Sequence, residues 1–197
     1  MSATDPQAGP DARSTAGGGA GGQDGVGKAT ATGTATATVT ALPVRTRRRG
    51  PLPVEGALAA PMTAEALAAL AARINGQPII RHLGGVAALR LDGVAEVWLP
   101  EVQPFHVGGM ETQAVNGPVI LAMLDCALVS AGLVQFEGAR SATLEMSVKI
   151  MRLVLPREVR AVGYAVSKTR TIVFARADVY DLRNQVRAAA TGIITRL

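Results

Sequence analysis

The chain has 197 residues, a formal net charge of +5 and a pI near 10.1, enough for one domain plus extensions. Apolar residues make up 48% but aromatics only 3%, so any core is built from Ala, Val, Leu, Ile and Met, and bases have few rings to stack on. The basic residues are dispersed and no zinc-finger spacing occurs, which argues against nucleic acid; a phosphorylated small molecule fits the charge equally well. A single cysteine, Cys126, excludes an intramolecular disulfide. No charge-free apolar run reaches membrane-spanning length, and the N-terminus lacks a basic segment followed by an apolar one. The expectation is a cytoplasmic protein with no membrane partner.

Residues 1–55 consist mainly of Ala, Gly, Thr and Pro, a composition that cannot bury enough apolar surface to offset ordering entropy, and they are expected to be disordered. Within them "GQDGVGKA" approaches a phosphate-binding loop through Gly22, Gly27 and Lys28. Ala29, however, occupies the place of the magnesium-binding hydroxyl, and no strand precedes it. "RTRRRG", Arg45 to Gly50, reads as a solvated linker.

Residues 56–79 contain a short amphipathic helix. Thr63 caps it, Leu67, Leu70, Ala71 and Ile74 share a face, and Asn75-Gly76 ends it. "GGVAALRL" and "VAEVWLPEV" flank Asp92-Gly93 and read as a hairpin. A polar, Gly-rich loop, "PFHVGGMETQAVNG", leads into the apolar run "VNGPVILAMLDCALVSAG". Asn116 is placed to cap that helix, and Pro118 is tolerated in its first turn.

Strands follow. "ATLEMSVKI" alternates Thr143, Glu145, Ser147 and Lys149 against Leu144, Met146, Val148 and Ile150, with a phase slip at Ile150-Met151 that predicts a bulge or bend. "EVRAVGYAVS", "TIVFARADVYD" and, after the turn "DLRNQ", "VRAAATGIIT" complete the series. The fold class is α+β, an antiparallel sheet wrapped around one long helix over residues 80–197.

That helix carries one carboxylate, Asp125. Ionised acids are rarely buried without compensation, so it is either paired with a cation or retained for chemistry. Cys126 is about 100° away around the helix and reads as a small core residue. Lys149, Arg152, Arg157, Arg160, Lys168, Arg170 and Arg176 form a basic series that solvated strand faces largely explain.

Residues 80–197 resemble the hotdog-fold acyl-CoA thioesterases of the phenylacetate-degradation, or PaaI-like, type. The family pattern is a polar loop, His-Gly-Gly, six mostly apolar residues and an acid. Here it reads "NGPVILAMLDCA", followed by "ATLEMSVKIMRLVLP" and "SKTRTIVFARADVYD". Two positions depart from it: Asn116 replaces the His and Pro118 the second Gly, while Gly117 retains the first.

The resemblance implies hydrolysis of an acyl-CoA or aryl-acyl-CoA thioester at the interface of a homodimer or homotetramer, without metal or other cofactor. It implies Asp125 as general base or nucleophile, in keeping with the stronger basicity of a desolvated carboxylate. It further implies the Gly117 N–H as the group polarising the carbonyl, and Thr143, from the facing subunit, as the hydroxyl orienting water. Asn116 still hydrogen-bonds and caps, and Gln113 or His106 is the assisting loop side chain. Pro118, His106, Lys168 and Arg170 are the candidate substrate contacts, the two cations for CoA phosphates. Two other classes stay open: a noncatalytic acyl-CoA or acyl-carrier binding protein, and a scaffold using the sheet edges.

Overall fold

The computed structural model describes residues 52, 54–108, 113–157 and 159–197. Most of the tail read over residues 1–55, with its near-match to a phosphate loop and its "RTRRRG" run, lies outside the described residues. Leu52, inside that stretch, is buried and packs with Val94 and Val162.

Helix α1, Ala64–Asn75, starts where Thr63 Oγ1 accepts from the Ala66 N–H at 3.3 Å, and it buries Leu67, Leu70 and Ile74. A five-residue helix, α2 (Pro78–His82), follows; it carries too few residues for a periodic signal and was not expected. The hairpin forms as read. Strand β1, Val86–Leu89, pairs antiparallel with β2, Ala95–Leu99, and Gly93 takes the turn at φ +82.

A 3-10 turn, Pro104–His106, and a two-strand ribbon of β3, Val107–Gly108, and β4, Ala114–Val115, bring the chain to α3, Gly117–Gln135. Strands β5, Ser141–Ile150, β6, Val159–Lys168, β7, Ile172–Tyr180, and β8, Val186–Arg196, complete the main sheet. Its order is β1-β2-β6-β7-β8-β5, all antiparallel, and α3 lies across β2, β5, β6, β7 and β8. By length and composition α3 would suffice to cross a membrane, but here it is the central helix of the core.

Glycine sets how closely α3 seats on the sheet. A Cβ at Gly163 on β6 would stand 2.3 Å from the Ala127 carbonyl oxygen of α3. That neighbour is backbone and cannot rotate away. From the helix side, a Cβ at Gly132 would stand 2.5 Å from Ile194 Cγ2 on β8.

Two register features correct the simple alternation read in β5. The slip at Ile150-Met151 marks the end of the strand, where the N–H groups of Met151 and Arg152 converge on the Arg187 carbonyl at 2.9 and 3.1 Å. Two residues there face one, as the expected bulge requires; a second bulge, not expected, lies earlier between Thr143 and Glu145 and leaves Leu144 without a cross-strand partner. Met146 and Val148 pack into the core as expected, but the extra residue reverses the parity upstream and turns Thr143 to the helix side.

Gly163→Ala should destabilise the fold by about 1–3 kcal/mol, the usual range for overpacking a tight contact. Urea unfolding reads this as a lower midpoint; an unchanged midpoint would mean that α3 is free to shift.

Candidate active site

Helix α3 begins at Asn116, whose extended backbone (φ −69, ψ 154) lets its Oδ1 accept from the Val119 N–H at 2.9 Å. Its Nδ2 donates to the Phe105 carbonyl at 3.0 Å, and its own N–H donates to the His106 carbonyl at 2.8 Å. The Asn116 side chain, standing where the family has a His, is thus engaged at both ends in fixing the loop to the helix. In the first turn Pro118 has no N–H, Val119 is capped, and Ile120 donates to the Asn116 carbonyl. The Gly117 N–H has no acceptor among the described residues, so one positively polarised donor faces outward at the helix N-terminus.

This donor opens on a groove of about 280 Å³ lined by Gly108, Asn116, Ile150, Arg152 and Leu153 as well as Gly117. The segment after β5 forms one wall, held by the Val115 N–H donating to the Val154 carbonyl at 2.8 Å. Arg152 is expected only as one of the basic series, and Leu153 carries no expectation as a site residue. The phase slip at Ile150-Met151 was their only sequence signal, because it ends the strand and sends "MRLVLP" across the helix N-terminus.

Asp125 lies on the outward stripe of α3 with Pro118, Leu121 and Ala122, and it is half-buried rather than fully enclosed. Its Oδ1 accepts from Thr143 Oγ1 at 2.6 Å, and no cation pairs with it among the described residues. This corrects the expectation for Thr143. The hydroxyl reaches Asp125 of its own chain, through the bulge in β5, and does not have to come from a facing subunit.

Asp125 and the Gly117 N–H are not neighbours within one chain. Eight residues of helix separate them, about 12 Å along the axis. Asp125 does not line the Gly117 groove.

The other expected contacts divide. His106 is fully buried, so direct substrate contact by its ring is closed. Its Nδ1 accepts from the Gln103 N–H at 2.9 Å, and the ring packs against Phe105 at a centroid distance of 4.1 Å. Nε2 faces the Leu83 carbonyl without a well-formed hydrogen bond. Burial pushes the His106 imidazole below its ordinary value; the Leu83 carbonyl opposes this and His82 adds to it. The neutral ring, protonated at Nε2, supports the loop under Asn116.

Gln113 and Pro118 are exposed beside the helix N-terminus. Lys168 Nζ donates to the Gln135 carbonyl at 3.0 Å, capping the far end of α3, and Arg170 is exposed in the adjoining turn. Both cations therefore sit at the opposite end of the helix from Gly117 of the same chain. Among the described residues no group of three or more His, Cys, Asp or Glu could hold a metal ion.

No family model and no curated protein matches the sequence. Solved structures do match. A thioesterase-superfamily protein superposes with a TM-score of 0.63 at 19% identity, over 68% of this chain and all of its own. The Escherichia coli PaaI protein, from the phenylacetic acid degradation operon, gives 0.61 at 14% identity, over 69% of this chain and 96% of its own. This chain has the hotdog fold. A Haemophilus influenzae thioesterase gives 0.60 at 17% identity, over 71% and 94%. The hotdog architecture accounts for one long helix cradled by an antiparallel sheet, and for an edge strand, β5, with one side unpaired.

Cys126, beside Asp125, is a poor nucleophile in this setting. Burial first, and then the charge of Asp125, push its thiol up to about 11. At pH 8 its alkylation should run about 10²-fold slower than that of an ordinary thiol, and it should rise about tenfold per pH unit and level off only near pH 11. Iodoacetamide kinetics across that range test this, and Cys126→Ala should leave any thioester hydrolysis intact.

Proposed function

We propose that this hotdog protein is a PaaI-like thioesterase that hydrolyses acyl-CoA or aryl-acyl-CoA, with a composite site formed between two copies. The observation that carries the reading is the Asp125–Thr143 pair at 2.6 Å, with no cation paired to it among the described residues, on a helix whose first N–H has no acceptor among them. The likeness to thioesterases supports the same reaction class.

The thioester carbonyl oxygen sits against the Gly117 N–H, which stabilises negative charge as it develops. Thr143 holds Asp125 Oδ1, and Oδ2 takes a proton from water while the water oxygen bonds to the acyl carbon. The resulting tetrahedral oxyanion collapses, the carbon–sulfur bond breaks, and the departing thiolate takes the proton back from Asp125. The products are a free acid and CoA thiol. Attack by Asp125 itself would break the carbon–sulfur bond, expel CoA as its thiolate and give a mixed anhydride; water then opens it, placing the water oxygen in the carboxylate of Asp125 or of the product. No step uses a metal or redox cofactor.

The 12 Å between Gly117 and Asp125 is the reason for two copies. One subunit supplies the N–H and the other the carboxylate with its Thr143. The outward stripe of α3 is apolar around Asp125, with Leu121 39% exposed, and Leu144 on the open edge of β5 is 62% exposed. A second copy would cover both, giving a dimer or a tetramer built from dimers. Light scattering at micromolar concentration should therefore show no monomer; an active monomer would refute the composite site.

Asp125→Asn should lower turnover by about 10²–10⁴-fold, the usual worth of a positioned acid–base group. Its thermal midpoint should be retained, since no cation is stranded. Unchanged turnover per folded molecule would exclude Asp125 from the chemistry. Ligand-induced stabilisation of the wild type without turnover would favour an acyl-CoA binding protein. Gly117→Pro removes the N–H yet suits both a helix first turn and the extended Asn116 before it. Mixed dimers of Asp125→Asn and Gly117→Pro chains contain one intact composite site. Co-expression should restore activity absent from either parent, and failure to do so would place both groups in one chain.

A further inference from the structure

A second groove, of about 290 Å³, lies between the segment linking β5 to β6 and the turn linking β7 to β8. Leu153, Val154, Arg157, Asp181, Arg183 and Arg187 line it. Asp181 is already committed. Its carboxylate accepts from the N–H groups of Arg183 and Gln185 at 2.7 and 2.9 Å and from Arg187 Nε at 2.9 Å. Against the opposing pull of burial, these bonds hold the Asp181 carboxyl below its ordinary value. Asp181 and Arg187 thus neutralise one another. The guanidinium groups of Arg157 and Arg183 are exposed and have no acceptor among the described residues.

The groove adjoins the one at the helix N-terminus, and Leu153 and Val154 line both. Along this shared wall come a polarising N–H, the apolar Ile150 and Leu153 with Arg152 between them in the chain, and two guanidinium groups without an acceptor among the described residues. A CoA thioester has the same order of chemistry: a carbonyl, an uncharged pantetheine arm and a nucleotide bearing phosphates. We propose that Arg157 and Arg183 bind the phosphates of the nucleotide end of CoA, with the arm lying over Leu153. The inference rests on the thioesterase reading for its ligand. Within one chain these two arginines lie nearer the Gly117 groove than Lys168 and Arg170, which sit at the other end of a 19-residue helix, about 28 Å away along its axis.

The test is calorimetric titration of the full chain with CoA, dephospho-CoA and adenosine 3′,5′-bisphosphate, none of which requires turnover. Arg157→Gln or Arg183→Gln should each weaken CoA binding by about tenfold, as expected for loss of one charge-assisted hydrogen bond, and the double variant by more. The wild-type affinity should fall with added salt. In turnover the same variants should raise KM for acyl-CoA, and they should hydrolyse the corresponding N-acetylcysteamine thioester, which has no phosphate, as the wild type does.

CoA affinity that is unchanged in the double variant overturns the proposal. So does a loss caused by Arg170→Gln in its place, or turnover restricted to acyl groups on a carrier protein with no CoA binding. Arginine-dependent CoA binding without hydrolysis would uphold this site and retire the hydrolase reading. Hydrolysis of acyl-CoA indifferent to Arg157 and Arg183 would do the reverse.

Discussion

The close approach of α3 to the sheet is the constraint on which the rest depends. Gly163 lets β6 run directly beneath the Ala127 carbonyl, and Gly132 lets the helix settle onto Ile194. A helix held that near the strands presents a fixed stripe outward and a fixed stripe inward, with little freedom to rotate. Met123, Leu124, Ala127, Leu128 and Ala131 are wholly enclosed as a result, and Asp125, one step around, emerges at the margin.

That margin explains how a carboxylate is accommodated in so apolar a helix. Full burial without a counter-ion would be very costly, whereas at the edge of the packing one hydroxyl and partial solvation suffice. The hydroxyl arrives through a local irregularity. With unbroken pairing, Thr143 would share a face with Glu145 and Ser147, away from α3. The bulge at Leu144 reverses this and delivers Oγ1 to Asp125. The same irregularity leaves Leu144 exposed on an open strand edge, so one residue contributes to both the site and the surface expected to meet a second copy.

The helix N-terminus has its own supporting structure. His106 is sealed beneath the loop, Asn116 ties loop to helix with three hydrogen bonds, and Val115 ties the ribbon to the segment after β5. These contacts consume side chains that looked available for chemistry, and they leave the Gly117 N–H as the group presented to the groove. A rigid surround matters for such a donor, because a dipole stabilises developing charge best when it need not reorient.

Periodicity and end signals determined much of the fold. Thr63 and Asn116 accept from the N–H groups expected of caps, Asp92-Gly93 turns the hairpin, and the apolar run forms a single 19-residue helix. These are local effects, set by a residue and its neighbours within one turn or one strand pair, so they can be read from order alone. The Gly117–Asp125 spacing belongs to the same class, since helix geometry converts eight residues into a distance.

Tertiary structure decided where the polar side chains ended up. His106 and Gln113 share one polar loop, yet one is buried and the other exposed, because only the packing against α2 and Phe105 encloses the imidazole. Lys168 and Arg157 are both cations near strand ends, but the antiparallel turns send them to opposite ends of α3. The bulge that aims Thr143 has no signature in its residues, since it arises from how β5 must pair with β8 while both curve around the helix. Contacts between segments far apart in the chain depend on register and curvature, which the order of residues does not display.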